Sequence, residues 1–439
     1  MILFERELEI PIKGHDDLLH YFARAVQEDT EEGHIPVRFA ITRSDLKNYR
    51  CEIGVLQDAR THHKVPQSIF RFARRSAENP QQLNAVLIVP TGIGAEIGGH
   101  AGDATPVAAM LGAICDNVIT HPNVLNASDI NEIPGNGLYV EGSVLCRLMM
   151  GTVGLQRVRA NRVLTLIDAH KDKSFVNAAI NSVNAARATL GLQCPQVVQL
   201  DPPIKLKTDY TSSGSAAGRI KGLSGLFDVL DEHRNNYDAV AVSSVIEVPH
   251  SYHMDYFLSR GEMVNPWGGV EAMLTHTISS IYDVPSAHSP MFESKEIANM
   301  DPGIVDPRMA AEAVSVTFLQ CILKGLHRSP RIVTDPVAMG HHSVITAADI
   351  ACLIIPDGCI GLPTLAALEQ GIKVIAVREN RNIMRNNLAS LPWGTNQLYI
   401  VDNYWEAIGV VSAIKAGVAP ESVRRPIREA SVGITMPTE

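Results

Sequence analysis

The chain is short of positive charge, of aromatic residues and of long apolar runs. Among 439 residues, 38 Lys and Arg face 47 Asp and Glu, a formal net charge of -9, and aromatic residues make up 5%. Holding nucleic acid or an anionic membrane surface without sequence preference needs a basic footprint. Neither partner is therefore expected. The basic runs at 71–75 and Arg424–Arg425 are short and read as solvated surface. No run reaches the roughly 18 apolar residues that a spanning helix needs. The first residues, MILFERELEIPIKG, break their apolar stretch with acids and lack the basic start of a signal peptide. A cytoplasmic location is expected. Seven cysteines stand singly without a CxxC pair, which fits a reducing compartment. Cys115, Cys146, Cys321 and Cys352 lie in apolar runs and read as small buried hydrophobes. Cys359 stands apart, in the loop DGCIG.

What is present is a well-buried globular composition, 46% hydrophobic and 19% charged. The length allows two to three domains and a large core without disulfides. Residues 1–82 read as a small α+β unit. Strands are expected at 3–10, 37–42 and 49–56 and a helix at 16–25, with no glycine-rich loop and no acid–base cluster. Its role is that of a lid, a scaffold or an oligomer contact, and a homo-oligomer is expected. From Ala85 the pattern changes to short continuous apolar runs at 85–89, 163–167, 239–242, 351–355 and 374–377. Such runs mark strands buried on both faces. Helical stretches at 106–114, 175–190 and 307–326 separate them. The alternation predicts a doubly wound, largely parallel α/β sheet with Rossmann-like units. We divide it into a central domain, 83–335, and a C-terminal Rossmann-like segment with a tail, 336–439. Residues 202–225 read as a linker or a mobile loop, and the tail after 422 reads as irregular.

Four stretches carry the chemistry. The first is VPTGIGAEIGGHAGDATP, residues 89–106. A buried strand ends, five glycines follow, and a helix opens at Pro106 with Asp103 or Thr105 available as its cap. Thr91, Gly92, Gly94, Gly98, Gly99 and Asp103 form a candidate cradle for a phosphate or carboxylate. A turn whose glycines only supply positive φ explains the same residues. The spacing matches neither a Walker A loop nor the dinucleotide fingerprint. The second stretch is THPNVLN with the later YVEG. His121 is a candidate acid–base group, Asn123 and Asn126 candidate orienting amides. Glu141, inside an apolar stretch, is an acid whose pKa burial would raise, or half of a salt bridge.

The third stretch is NPWGGVEAMLTHTISSIY with AHSP after it. Glu271 falls in the first turn of a helix, where its charge also suits the dipole. His276 lies about 140° round that helix, so the two cannot share a metal as neighbours one turn apart. His288 follows the helix. The fourth stretch, 353–380, reads as strand, glycine loop, helix and strand. Gly358 and Gly361 lie in the loop and Glu379 at the end of the second strand, a weak nucleotide pattern beside plain packing. Sixteen histidines leave a divalent metal open as cofactor. Yet His62–His63, His250 with His253, His341–His342 and the DAHKD motif at 168–172 lack the spacing of a dedicated zinc site.

The motifs PTGIGAEIGGHAGDATP, THPNVLN, YVEG, ARATLGL, GVEAMLTH with AHSP, and AVREN resemble the family catalogued as domain of unknown function 3326 (DUF3326). The resemblance runs from about Pro90 to Asn380 and leaves the first 80 or so residues unmatched. It implies a shared fold. It also implies that the glycine loop, His121, Asn123, Glu141, Glu271, His276 and His288 belong to one site. His100 and His170 fall outside its pattern. The reading that follows is an enzyme acting on a small anionic metabolite by His/carboxylate acid–base chemistry, as a hydrolase, lyase or isomerase. The alternatives are a nucleotide- or sugar-nucleotide-binding enzyme and a non-catalytic metabolite-binding protein.

Overall fold

The continuous apolar runs pair edge to edge. Asn84–Leu87, Asn117–Thr120, Gly137–Tyr139, Ile350–Pro356, Lys373–Val377 and Leu398–Val401 form a six-stranded sheet whose neighbours all run parallel. Val86, Leu87, Ile119, Leu353, Ile354 and Ile375 are wholly buried. Both faces are covered, so nothing in these strands alternates. The computed structural model that shows this describes residues 1–13, 17–57, 66–125, 133–427, 429–430 and 432. Counted along the chain, the six strands lie in the spatial order third, second, first, fourth, fifth, sixth. The order reverses between Asn84–Leu87 and Ile350–Pro356. Loops leaving the two strands diverge at such a point and open a crevice.

A second, ten-stranded sheet is mixed. Its antiparallel half runs through Ile360–Gly361, His34–Ser44, Asn48–Gln57, Ile2–Pro11, Ala216–Lys221 and Lys205–Tyr210. Its parallel half continues through Ala239–Glu247 to Val163–Asp168 and Val197–Leu200, and Ser286–Met291 also pairs with Ala239–Glu247. Gly154–Gln156, Arg331–Val333 and Val344–Ile345 form a small third sheet. The fold is thus mixed α/β, with one all-parallel sheet and one mixed sheet. The parallel sheet draws strands from either side of residue 335, and the mixed sheet from either side of both 82 and 335. The first joins 84–139 to 350–401, and the second joins 2–57 to 163–291.

Three local expectations are corrected. Residues 202–225 are no linker: Lys205–Tyr210 and Ala216–Lys221 make a hairpin inside the second sheet. The small residues of Ala216–Gly218 there serve close packing, because a Cβ on Gly218 would come within 2.9 Å of Val270 Cβ. The single helix expected over 307–326 is two, Pro307–Val314 and Phe318–His327, set 95° apart. Ser315 ends the first in extended backbone. The N-terminal strands, finally, do carry an ionisable cluster. The Arg38 guanidinium pairs with Glu5 and lies 3.6 Å from Glu52 Oε2. Glu52 Oε1 accepts hydroxyl hydrogen bonds from Thr211, Ser213 and Ser215 of the hairpin turn. Charges alternating along a strand ordinarily face water. Here Glu5 shares a face with Leu3, which packs in one core with Met273 and Leu274 of the helix Gly268–Tyr282.

Burial pushes the Glu5 carboxyl up despite Arg38. Burial also acts on Glu52, but Arg38 and the three hydroxyls outweigh it and hold that carboxyl below its usual range. Arg38→Leu leaves both acids unpaired. The expected cost is roughly 3–5 kcal/mol, the scale for stranding a buried ion partner. Urea unfolding measures it, and a loss under about 1 kcal/mol would mean that the cluster is not a structural unit.

Candidate functional site

The helix Gly268–Tyr282 organises the site. Ten of its fifteen residues are buried, and it docks through its opening glycines. A Cβ on Gly269 would overlap the Ala216 carbonyl, and one on Gly268 would come within 2.6 Å of Thr91 Cγ2. From this helix Glu271 and His276 reach different partners. His288 Nδ1 lies 2.8 Å from Glu271 Oε1, and His276 Nδ1 lies 2.5 Å from Glu141 Oε1. The second contact is close but bent, not an aligned hydrogen bond. Glu141 ends the segment after Gly137–Tyr139 and caps the helix Gly142–Met149, accepting the Ser143 N–H at 2.8 Å and the Ser143 hydroxyl. Gly142 follows because a Cβ there would lie 2.7 Å from His276 Cε1.

His121, Glu141, Glu271, His276 and His288 line one cavity of about 260 Å³, together with Thr91 and Asn123. His121 Nε2 accepts the Val89 N–H at 3.1 Å. That bond fixes the ring proton on Nδ1. Burial lowers the His121 pKa to about 4, against the pull of Glu141, so the ring is neutral at pH 7. Of the two readings of Glu141, the ion pair holds and the raised pKa does not. Burial alone would raise it, but His276 and the Ser143 bonds outweigh burial, and the carboxyl sits below its ordinary value. His288 Nε2 meets Ser244 Oγ at 2.7 Å. Ser244, His288 and Glu271 therefore have the spacing of a nucleophilic triad. Ser244 is 0% exposed and does not line the cavity, so its hydroxyl anchors the ring from behind.

A neighbouring cavity of about 170 Å³ opens where the strand order reverses. Ile88 and Pro90 line it from one side of the switch, Cys359, Gly361 and Thr364 from the other. Thr91, His121, Gly142, Ala272 and His276 line both cavities. Arg38, Arg71 and Arg147 also line the smaller one, with Asp283 in ion-pair contact with Arg147. Burial pushes the Cys359 thiol well up, so it is no nucleophile at neutral pH.

The glycine loop is built differently from the expected cradle. Gly92, Gly94, Gly98, Gly99 and Asp103 line neither cavity. The Gly98 N–H is taken by Asp103 Oδ1 at 2.7 Å, and the Gly92 carbonyl accepts from Ala216 N–H. Asp103 does not cap the helix Thr105–Ile114, whose N-cap is Ala104 without a side-chain bond. Asn123 ties the loop down by donating to the Val89 and Gly98 carbonyls. Asn126 and His62–His63 lie outside the described residues. Gly358 adopts φ +83° and Gly361 lines the smaller cavity, whereas Glu379 is exposed and lines neither. Its neighbour Asn380 bonds both polar groups of Ile97 and so fastens the glycine loop. His341 and His342 stack on each other at the surface. Asp172 caps the helix Lys173–Leu190 and pairs with Lys295. Among the described residues no three His, Cys, Asp or Glu side chains converge as a metal ligand set.

Residues 84–424 match the model of the family described as protein of unknown function (DUF3326). The chain belongs to this family. Over 348 residues the DUF3326 chain is also 34% identical to an uncharacterized lipoprotein of a Synechococcus strain, covering 78% of this chain and 94% of that protein. No solved structure matches it. Among the described residues no single helix is long and apolar enough to cross a membrane.

The larger cavity of the DUF3326 chain has a second polar group that sequence reasoning missed. Glu312 lines it, and Tyr256 donates its hydroxyl to Glu312 Oε2 at 3.0 Å. Asn265 Nδ2 bonds the same hydroxyl at 3.2 Å, and His100 Nδ1 meets it at 2.8 Å. Burial raises the Glu312 pKa to about 7, against the Tyr256 bond. Asn265 stands in the NPWGG motif, but Tyr256 and Glu312 sit in helices with no local mark. Glu312 holds its proton more tightly folded than unfolded. The stability linked to it is complete below pH 4.5 and is lost as pH rises to about 7. Glu312→Gln removes that loss. At pH 8 its melting temperature is expected above that of the parent by ~2 °C, the gap closing toward pH 5. A gap that does not change with pH contradicts the assignment.

Proposed function

We propose that this chain is an enzyme acting on a small polar metabolite by acid–base chemistry, of hydrolase, lyase or isomerase type. The observation that carries the proposal is the gathering of two carboxylate–imidazole pairs and a neutral histidine on one cavity. Paired groups whose environments push their pKa values apart are the mark of assigned acid and base roles. Glu141 is held ionised and Glu312 is held protonated into the neutral range. Glu271 or His276 takes the proton, and Glu312 is placed to return one. His288 is a positioning residue, anchored by Ser244. A carboxylate or phosphate on the substrate would enter the smaller cavity, where three arginines face one aspartate. All seven cysteines are free, which supports a reducing, cytoplasmic location. The Synechococcus relative's name instead speaks for lipid attachment of that protein.

The test needs no guessed substrate. Purified chain is incubated with a metabolite extract, and masses consumed and formed are followed, with His276→Asn as control. Wild type is expected to convert at least one substrate–product pair that the variant converts about 100-fold or more slowly. Identical extracts after both treatments refute the reading.

One observation favours a second reading, a nucleotide- or sugar-nucleotide-binding enzyme. We read the six-stranded sheet as a doubly wound, Rossmann-like unit, because its order is the one that binds nucleotides at the reversal point. The smaller cavity lies there, beside the start of the helix Leu362–Gln370, which has no side-chain cap. Gly361 has no positive φ, and its nearest neighbours would lie 3.6 Å or more from a Cβ. Gly361→Leu would therefore fill the cavity without straining the loop. Under this reading a nucleotide raises the melting temperature of wild type and not of Gly361→Leu, while Glu379→Ala responds as wild type does.

A further inference from the structure

The larger cavity is one-sided in charge. Glu141, Glu271, Glu293 and Glu312 line it, and no lysine or arginine among the described residues does. The four histidines on its wall include His276 and His288, already turned to Glu141 and Glu271. An anion entering here would meet Glu141, Glu271 and Glu293 with only imidazoles, and no lysine or arginine, to offset them, an arrangement that like-charge repulsion disfavours. The rest of the wall is apolar and soft: Met254, Phe257, Trp267, Met291, Phe292 and Phe318. These come from the segments 254–267, 291–292 and 318, none of them in the six-stranded sheet that leads into His121 and Glu141. Aromatic faces attract cations, and methionine adapts to varied apolar shapes. Trp267 is packed edge-on against Tyr256, at a ring distance of 5.2 Å, and that tyrosine's hydroxyl holds Glu312. One aromatic wall and one acid are thereby fixed to each other.

We infer that the molecule held in this cavity carries an ammonium group on an apolar or aromatic body. Glu141, Glu271 and Glu293 receive the ammonium and the Trp267–Phe257–Met291 wall takes the body. An anionic part of the substrate is left to the arginines next door. The inference takes from the proposed function only that this cavity is where the substrate sits.

Three probes of one length separate the cases: hexylamine, hexanol and hexanoate, with methylamine as the headgroup alone. Binding is followed by calorimetry and by Trp267 fluorescence, with Trp267→Phe identifying the signal. The measurements are made in the wild-type chain, where Glu141 keeps its His276 partner. Hexylamine is expected to bind at least tenfold more tightly than hexanoate and than methylamine. Glu271→Gln with Glu293→Gln is expected to abolish the preference for hexylamine over hexanol. Met291→Ser is expected to weaken hexylamine binding at least tenfold while far-UV circular dichroism stays that of the parent. Should Met291→Ser unfold, Phe257→Ser supplies the same arm. Hexanoate binding as tightly as hexylamine, methylamine matching it, or no binding by any probe overturns the inference. None of these outcomes touches the acid–base reading, which falls if wild type and His276→Asn leave identical extracts.

Discussion

A backbone contact without side chains sets the geometry of this protein. The helix Gly268–Tyr282 begins where Gly269 lies against the Ala216 carbonyl and Gly268 against Thr91. No Cβ fits at Gly269 without a shift, so the helix axis comes closer to the hairpin than side chains would allow. That closeness lets one helix serve two partners at once, Glu271 reaching His288 on one strand and His276 reaching Glu141 on the far side. Gly142 repeats the device under the His276 ring. The imidazole lies over bare backbone, and its position is decided by packing before any charge is considered.

Charge then follows packing. Removing ions from water is costly unless each finds a partner, and the buried carboxylates here each solve the problem differently. Glu141 takes a histidine and a serine. Glu52 takes an arginine and three hydroxyls. Glu312 takes a phenol and keeps its proton longer than usual. One cavity thus holds a carboxylate and a carboxylic acid over the same neutral pH range. Side chains of one type are divided into two roles by their neighbours, and a reaction that needs both a proton acceptor and a donor can use them without metal or cofactor being invoked for that step.

The sequence made the parallel strands legible because continuous apolar runs have few other uses. It also made Glu141, Glu271, His276 and His288 legible, because Glu141 and Glu271 stand at helix starts and the two histidines interrupt buried runs within a helix and a strand. What stayed hidden depended on distance along the chain. The hairpin Lys205–Tyr210 to Ala216–Lys221 looked like a linker, since its small residues are explained only by a helix fifty residues later. Glu312 and Tyr256 lie on short helices with ordinary patterns, and only their meeting gives either one meaning. The glycine loop misled for the opposite reason. Five glycines before a helix fit an anion cradle, but Asp103 and Asn123, close by in sequence, use the loop's own polar groups to close it.

The N-terminal strands carry the last step. Residues 1–83 lie outside the matched family region, yet they supply Glu5, Arg38 and Glu52. Arg38 lines the smaller cavity, and Glu5 lies near enough to His276 for the two to interact electrostatically. The smaller cavity is therefore lined in part by a segment that the family region does not include. His276 lines that cavity too. Its charge environment is shared between Glu141 inside the family region and the Glu5–Arg38–Glu52 group outside it. A chain with the same family region and different N-terminal strands would keep the two carboxylate–imidazole pairs. It would present another charge at the smaller cavity, so the acid–base pairs and the charge of the neighbouring cavity are carried by different parts of this chain.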